Sequence, residues 1–513
     1  MNELKKQKRK NRLSIILLIL ICIILLSLGW FKSTFSNVTL DELIFHIKVP
    51  LQGSNLSFIQ SYLLYLKDNG LIFLFIICAT CFLLSQRFKH QYKVNISLKL
   101  FKFVKKINWN IKDDRKILFH VISIIFIITI IYTFIKLDVH TYLYNEFHPS
   151  KLFEDYYVDT KKVKLEFPEQ KQNLIYIFME SMESSYYNLN LEGVEQKNLI
   201  PNLENLAKEN THFSDSKKLG GAQAVSNTGW TVAGMVSQTA GTPVKLSIDG
   251  NTLGEYDSFL PGVYGLGEIL KKEGYNNYLM MGSDSNFGGR SSYFKQHGNY
   301  DIYDFNSAIK EKKISKDYWV NWGFEDLKLF EYAKEKITML SNKEQPFNFA
   351  MLTVDTHFLE GYTDDTCEHL NTNIYANAVM CSDKKVYNFV RWIQEQPFYE
   401  NTTIVISGDH LLMGNYLFPA EYDKKRTVYN VIINPRVTSD NTKERVFTTM
   451  DMFPTTLASL GVKIDGERLG LGTNLFSNKK TLAEKLGIKK FDNELSKKSD
   501  YYNDKLLYEN KKN

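Results

Sequence analysis

Three long apolar segments within the first 137 residues constrain this chain more than any other feature. They are LSIILLILICIILLSLGWF (Leu13 to Phe31), GLIFLFIICATCFLLS (Gly70 to Ser85) and ILFHVISIIFIITIIYTFI (Ile117 to Ile135). A helix needs roughly 20 apolar residues to cross a hydrocarbon core; the first and third segments have them outright, and the second has them with its ends included. No small-residue cleavage site follows the first segment, and Trp30 with Phe31 has the character of an interfacial anchor, so a retained span is expected there rather than a cleaved signal. The run SFIQSYLLYL (Ser57 to Leu66) reads as a further half-buried helix; a full crossing there would invert the topology.

Charge supports the same picture. The formal net charge of +6 is modest, but basic residues crowd KKQKRKNR (Lys5 to Arg12) and the stretch from Arg87 to Trp109. Each basic run abuts an apolar segment, which points to a membrane surface and away from nucleic acid. Because Lys and Arg are retained on the cytoplasmic side, three spans place everything after about Leu137 outside the cytoplasm. Cys22, Cys78 and Cys81 lie in the apolar segments, where cysteine acts as a small hydrophobe. Cys367 and Cys381 are the two remaining cysteines, and an oxidising compartment would let them pair.

From about Lys161 the pattern changes to short apolar runs alternating with amphipathic ones, the mark of an α/β domain with a mostly parallel sheet. The expected strands are NLIYIFM (173–179), NNYLMMG (276–282), FNFAMLTV (347–354), TTIVISG (402–408) and TVYNVIIN (427–434). The expected organisation is a membrane region over 1–137, a linker over 138–160, the α/β domain over 161–476 and a polar tail over 477–513. Ligands of open α/β sheets bind beyond the carboxyl ends of the strands. Four of the runs deliver polar residues at that edge: Glu180, the stretch SDSNFGGR ending at Arg290, Asp355-Thr356-His357, and Asp409-His410.

Two carboxylates and an imidazole, from Glu180, Asp409 and His410, suit a divalent ion of intermediate hardness. The segment LGGAQAVSNTGWTVAGMVSQTAG then supplies hydroxyls: glycine-rich turn chemistry followed by a helical run, with Thr228 and Thr231 near its start. Such a threonine is either an N-cap or a hydroxyl placed where the helix end favours an anion, and local sequence leaves both open.

The order of motifs adds to this. IYIFMES, IPNLENLAKENTHFSD, NTGWTVAGMVSQTAGTP, MGSDSNFGGRSSYFKQHG, LTVDTHF, YANAVMCSD, ISGDHLLMGN and TTMDMFPTTLASLGV resemble the phosphoglycerol transferase and lipoteichoic acid synthase branch of the alkaline phosphatase/sulfatase superfamily. The run LDELIFHIKVPLQGSN, between the first two apolar segments, is similar to that family as well. The resemblance implies a sulfatase-like α/β domain carrying Thr231 as nucleophile, with Thr228 as second choice. It implies Glu180, Thr231, Asp409 and His410 as ligands of one divalent ion, Mn²⁺ first, with Zn²⁺ or Mg²⁺ as alternatives. It places the head group on Arg290 and His357, with Trp230 beside the site. It further implies a multi-pass enzyme of the inner (cytoplasmic) membrane whose catalytic domain faces the periplasm or cell exterior. The expected donor is phosphatidylglycerol and the expected acceptor a glycan hydroxyl. Phosphoethanolamine transfer and a non-catalytic glycan-binding or sensor protein are the alternatives. An arylsulfatase is disfavoured, because no cysteine stands in the nucleophile motif.

Overall fold

The computed structural model describes all residues except 1, 36–37, 49–56, 86–91, 101–102, 112–113, 192–193, 247–257, 415–416, 418–425 and 509–513. Of the run LDELIFHIKVPLQGSN, residues 49–55 therefore lie outside the described residues. The chain divides into two compact units, Met1–Ser36 with Leu56–Thr141, and Asn37–Asn55 with Tyr142–Asn513.

The first unit contains helices α1 (Asn2–Thr34), α3 (Ser57–Ser85) and α4 (Asp114–Lys136). Each holds a stretch long and apolar enough to cross a membrane, over Lys8–Thr34, Ile59–Phe82 and Ile117–Lys136. SFIQSYLLYL is not a separate helix: its residues form the first turns of α3, continuous with the second apolar segment. Lys67-Asp68-Asn69-Gly70 reads as a stop signal between the two runs, yet the helix continues through it, with Asn69 Nδ2 donating to the Tyr65 carbonyl at 3.1 Å. On α1, Trp30 donates from Nε1 to Ser61 Oγ of α3 at 3.0 Å. The basic stretch after α3 includes two strands, Tyr92–Leu100 and Phe103–Ile111, paired antiparallel.

The second unit begins with α2 (Leu40–Lys48) and is otherwise built on a six-stranded sheet. Its strands are β1 (Asn173–Met179), β2 (Asn276–Met281), β3 (Asp301–Tyr303), β4 (Phe347–Leu352), β5 (Thr402–Gly408) and β6 (Asn430–Ile433), in the spatial order β6-β5-β1-β4-β2-β3. All neighbours are parallel except β6, which runs antiparallel to β5 at one edge. β1, β4 and β5 are buried along nearly their whole length, which is why they read as continuous apolar runs rather than alternating ones. The run 427–434 is broken: Thr427–Val428 pairs with Ala222–Gln223, and only Asn430–Ile433 joins the main sheet. The short strand β3 lacks an apolar run of its own and was not expected.

Residues 477–513 depart from the expected polar tail. Helices Leu482–Leu486 and Ile488–Ser496 and a π-turn over Tyr502–Leu507 bring Leu482, Phe491, Leu495, Tyr502 and Leu506 into the main core. The Lys and Asn content occupies the outer faces, while Phe491 and Leu495, four apart, share the inner one. The expected linker over 138–160 likewise holds two helices, Val139–Phe147 and Leu152–Tyr156.

Cys367 and Cys381 form a disulfide, with Cα atoms 5.2 Å apart, tying a loop to helix α6 (Ile374–Gln394). Closing a loop of this length stabilises by about 3 kcal/mol in the chain-entropy picture. The double variant Cys367→Ser/Cys381→Ser is expected to lose about that much in denaturant unfolding, and non-reducing peptide mapping should recover the linked pair. Two alkylatable thiols in the native protein would contradict the bond.

Candidate active site

The parallel strands end level with one another, and this gathers the polar residues. Met179 of β1 is in register with Gly408 of β5, and Phe178 of β1 with Leu352 of β4. The chain therefore leaves β1 at Glu180 and β5 at Asp409 side by side, at the edge where such sheets bind ligands. Ser181, just after Glu180, adopts a left-handed φ of 51°, a conformation that costs a non-glycine residue roughly 1–2 kcal/mol. The turn it makes lets Ser181 donate from its backbone N to Asp409 Oδ1 at 2.8 Å and from its hydroxyl to Glu180 Oε1 at 2.7 Å. Local strain is thus coupled to the aim of both carboxylates.

The threonine question resolves geometrically. Helix α5 (Thr231–Ala240) follows an extended Trp230 and has no side-chain cap. Thr231 is its first residue, and its Oγ1 donates to Glu180 Oε2 at 3.2 Å and lies 3.4 Å from His410 Nε2. Thr228 is buried and donates to the Val225 carbonyl at 2.7 Å, so its hydroxyl serves the turn. Gly234, one turn along α5, permits this approach: a Cβ there would sit 2.2 Å from the Asp409 carbonyl oxygen. Gln238 fastens the same helix, donating to Gly408 O at 2.9 Å and accepting from the Tyr176 hydroxyl of β1 at 2.8 Å.

Asp409 and His410 are both buried. Asp409 Oδ1 accepts from the backbone N–H groups of Ser181 and His410, both at 2.8 Å. Its Oδ2, 3.4 Å from His410 Nε2, has no hydrogen-bond partner among the described residues. His410 places Nδ1 2.7 Å from the Leu411 carbonyl; a carbonyl only accepts, so Nδ1 carries the proton and Nε2 faces Glu180, 3.3 Å away. His357 uses the same device, Nδ1 donating to the Phe358 carbonyl at 2.6 Å, with its ring packed 4.3 Å from that of Trp322.

Arg290 opens a helix and is buried. Its Nε donates to Phe287 O at 3.0 Å and its Nη2 to Asp284 O at 2.8 Å. The expected two-pronged grip through that edge is therefore occupied by backbone, and Nη1 is the part of the guanidinium left for a ligand. Burial pulls Arg290 down to about 10, against the pull of Glu180, Asp284, Asp304 and Asp409, so it stays charged at neutral pH.

Burial and then the Glu180 charge push the Asp409 carboxyl up to about 8. Burial opposes charge on His410, but Asp409 and Glu180 outweigh it and raise the imidazole to about 10. Glu180 moves the other way: burial raises it, while His357 and His410 hold it well below the ordinary carboxylate range. Asp409 and His410 both hold on to protons because the Glu180 charge is buried beside them, so the site is short of positive charge. Glu180, Asp409 and His410 each offer a ligand atom, all within 4.8 Å of one another, and the orphaned Asp409 Oδ2 is the kind of atom a cation satisfies. These residues, with Thr231 beside them, fit a divalent ion. Asp364, Cys367 and Cys381 also cluster, but there both sulfurs are bonded to each other.

Of the further residues that shape the site, Thr356 belongs to a strand exit already read, while Thr353, Glu183 and Arg426 carried no readable signal. Thr353 Oγ1 accepts from the Glu180 backbone N at 3.0 Å, and Thr356 Oγ1 donates to the Glu180 carbonyl at 2.5 Å. Glu183 accepts from Arg426 Nε at 2.9 Å and from Leu412 N at 2.9 Å, while Arg426 Nη2 donates to Leu412 O at 2.7 Å. That ion pair grips both backbone groups of Leu412, two residues past His410. Asp355, quoted with the strand-end residues, turns instead to a buried ion pair with Lys385 at 2.7 Å.

A mostly parallel sheet with a hydroxyl at a helix start, a Glu-Asp-His trio on adjacent strand ends and apolar helices N-terminal to it defines a sulfatase/alkaline phosphatase-type domain joined to candidate membrane spans. The family model described as Sulfatase matches residues 172–462, more than half of the chain, and the chain belongs to that family. It is 32% identical over 343 residues to phosphoglycerol transferase I of Escherichia coli (strain K12), covering 66% of this chain and 43% of the relative. The same identity holds over 344 residues of phosphoglycerol transferase I of Salmonella choleraesuis (strain SC-B67), with the same shares. The chain thus matches less than half the length of these relatives. Among solved structures, the lipoteichoic acid synthase LtaP from Listeria monocytogenes is similar at 20% identity and a TM-score of 0.47, covering 62% of this chain and 79% of that chain.

Proposed function

We propose that this chain is a membrane-bound transferase that moves glycerol phosphate from phosphatidylglycerol to a glycan hydroxyl, through a phosphothreonine on Thr231. The observation that carries the proposal is the placement of the Thr231 hydroxyl against Glu180 and His410, beside the unpartnered Asp409 oxygen. The 32% identity to phosphoglycerol transferases supports the donor class. The three apolar helices and the disulfide support a multi-pass protein of the inner membrane whose site faces the periplasm or cell exterior.

A divalent ion held by Glu180, Thr231, Asp409 and His410, with Mn²⁺ the first choice, would supply charge neutralisation and a lowered hydroxyl pKa. Thr231 gives up its proton along the hydrogen bond to Glu180, and its Oγ attacks phosphorus in line with the bond to diacylglycerol. That P–O bond breaks, and diacylglycerol leaves with a proton. The acceptor hydroxyl then displaces Thr231 from phosphorus, losing a proton as Thr231 regains one. Arg290 offers Nη1 to the phosphate oxygens. His357, whose pKa burial lowers, is neutral and presents Nε2 as a lone pair.

Membranes carrying the protein should release diacylglycerol from head-group-labelled phosphatidylglycerol and pass the label to an added glycan. Release from phosphatidylethanolamine alone would replace the donor, and release from neither lipid would remove the transferase reading.

A further inference from the structure

Helix α2 lies in sequence between the first two apolar helices, yet it belongs to the same compact unit as the strand-end cluster. Its sequence LDELIFHIK favours a helix: Thr39 Oγ1 accepts from Glu42 N at 3.3 Å, acids occupy the first turn, and His46 and Lys48 the last. Phe45 is fully buried, part of the main core, with its ring 4.8 Å from that of Trp230. Burial of this phenylalanine anchors the nine-residue helix on the core. Lys245, itself buried, lies 3.6 Å from Asp41 of α2 and the same distance from Glu146.

Between α2 and the start of α5 lies a cavity of about 240 Å³, lined among others by Glu42, Asn227, Trp230, Leu412 and Asp492. Three of these lining residues carry unpartnered polar atoms. Glu42 Oε1, Asn227 Oδ1 and Nδ2, and Trp230 Nε1 are buried without a hydrogen bond among the described residues, on side chains 5%, 4% and 3% exposed. Leaving such groups dry costs roughly 1–3 kcal/mol each, unless something that enters satisfies them. Asn227 is the sharpest case. Its φ of +64° suits an asparagine, but leaves both ends of the buried amide without a partner. Asn227 and Trp230 flank the turn that leads into Thr231, and Leu411 and Leu412 follow His410, so the cavity is lined by the chain neighbours of the cluster rather than by the cluster itself.

We propose that α2 is a working wall of the active site, and that this cavity binds the hydroxyl-bearing acceptor, a saccharide, through Asn227, Glu42 and the indole N–H of Trp230. An amide that both donates and accepts, a carboxyl group and an indole N–H match the vicinal hydroxyls of a sugar. Burial pushes the Glu42 carboxyl up to about 8, so at neutral pH it donates as well as accepts. The assignment rests on the transferase reading above, and its test separates the two. The probe is methyl β-D-glucoside, given to the full chain in lipid nanodiscs with phosphatidylglycerol.

Asn227→Gly, which the positive φ tolerates, and Glu42→Ala should each raise the KM for the glucoside about tenfold, the loss expected for one hydrogen bond of about 1.4 kcal/mol. The KM for phosphatidylglycerol should move far less, and Glu42→Gln should restore most of the glucoside affinity. A rise in the phosphatidylglycerol KM instead would give the cavity to the donor head group. An equal fall in kcat with both KM values unchanged would make α2 a structural brace. Either result overturns the assignment. Equilibrium binding of the glucoside, followed by saturation-transfer NMR without lipid, supplies an arm independent of turnover. If wild type releases no diacylglycerol but binds the glucoside, and Asn227→Gly does not, the donor reading falls and the sugar site stands. Absence of glucoside binding by wild type sinks the sugar site.

Discussion

Thr231→Ala is expected to reduce transfer by about 10⁴-fold or more, with folding intact. Removing a nucleophile that acts as part of a unit costs on this scale, because the remaining groups then have no covalent step to assist. Stability should hardly change, since the Thr231 hydroxyl caps nothing and points to Glu180 rather than to a backbone group of its own helix. Thr228→Ala is the informative contrast. Its hydroxyl is buried and bonded to the Val225 carbonyl, so that variant should lose about 1 kcal/mol of stability and keep most of its activity. Intact mass after incubation with phosphatidylglycerol alone should show one glycerophosphoryl adduct on wild type and none on Thr231→Ala. Full activity in Thr231→Ala, with loss in Thr228→Ala, would move the nucleophile and with it the mechanism.

Much of this site was legible because parallel strands in a two-sided layer are plain in sequence. β1 and β5 run over the expected residues, and their polar exits, Glu180 and Asp409-His410, followed directly. Thr231 was not legible from local sequence, because a cap and a nucleophile occupy the same helix end; the distinction lies in which way the hydroxyl turns, and that depends on Glu180, 51 residues away. The same limit hid Thr353, and hid the role of Thr356 although its place at the strand exit was read, because both roles exist only across neighbouring strand ends. Residues 477–513 misled because composition registers their lysines and asparagines while burial follows spacing, as Phe491 and Leu495 show. Helix α2 is the most instructive miss. Its sequence stood out as a family-like run, but nothing local says that a segment between two apolar helices packs Phe45 against Trp230.

Asp409→Asn is expected to abolish transfer and metal retention while raising the stability of the metal-free protein. Asp409 Oδ1 takes two backbone N–H bonds, which an asparagine oxygen would keep. Its Oδ2 has no partner and lies 3.4 Å from Nε2 of His410; an asparagine there never takes on a second buried negative charge, and it frees His410 from the proton that Asp409 and Glu180 make it hold. The variant never carries the charge whose repulsion with Glu180, after burial, raises Asp409. In the wild type the same repulsion is what a bound cation would offset, so a chelator should lower the wild-type melting temperature and extinguish activity, and Mn²⁺ should restore both. The variant should be indifferent to chelator and to Mn²⁺, and should melt above chelated wild type. Metal analysis and thermal unfolding, each run on both proteins with and without chelator, give eight measurements with one allowed pattern. A wild type whose activity and melting temperature both ignore the chelator would remove the ion from the site, and an active Asp409→Asn would remove Asp409 from the chemistry.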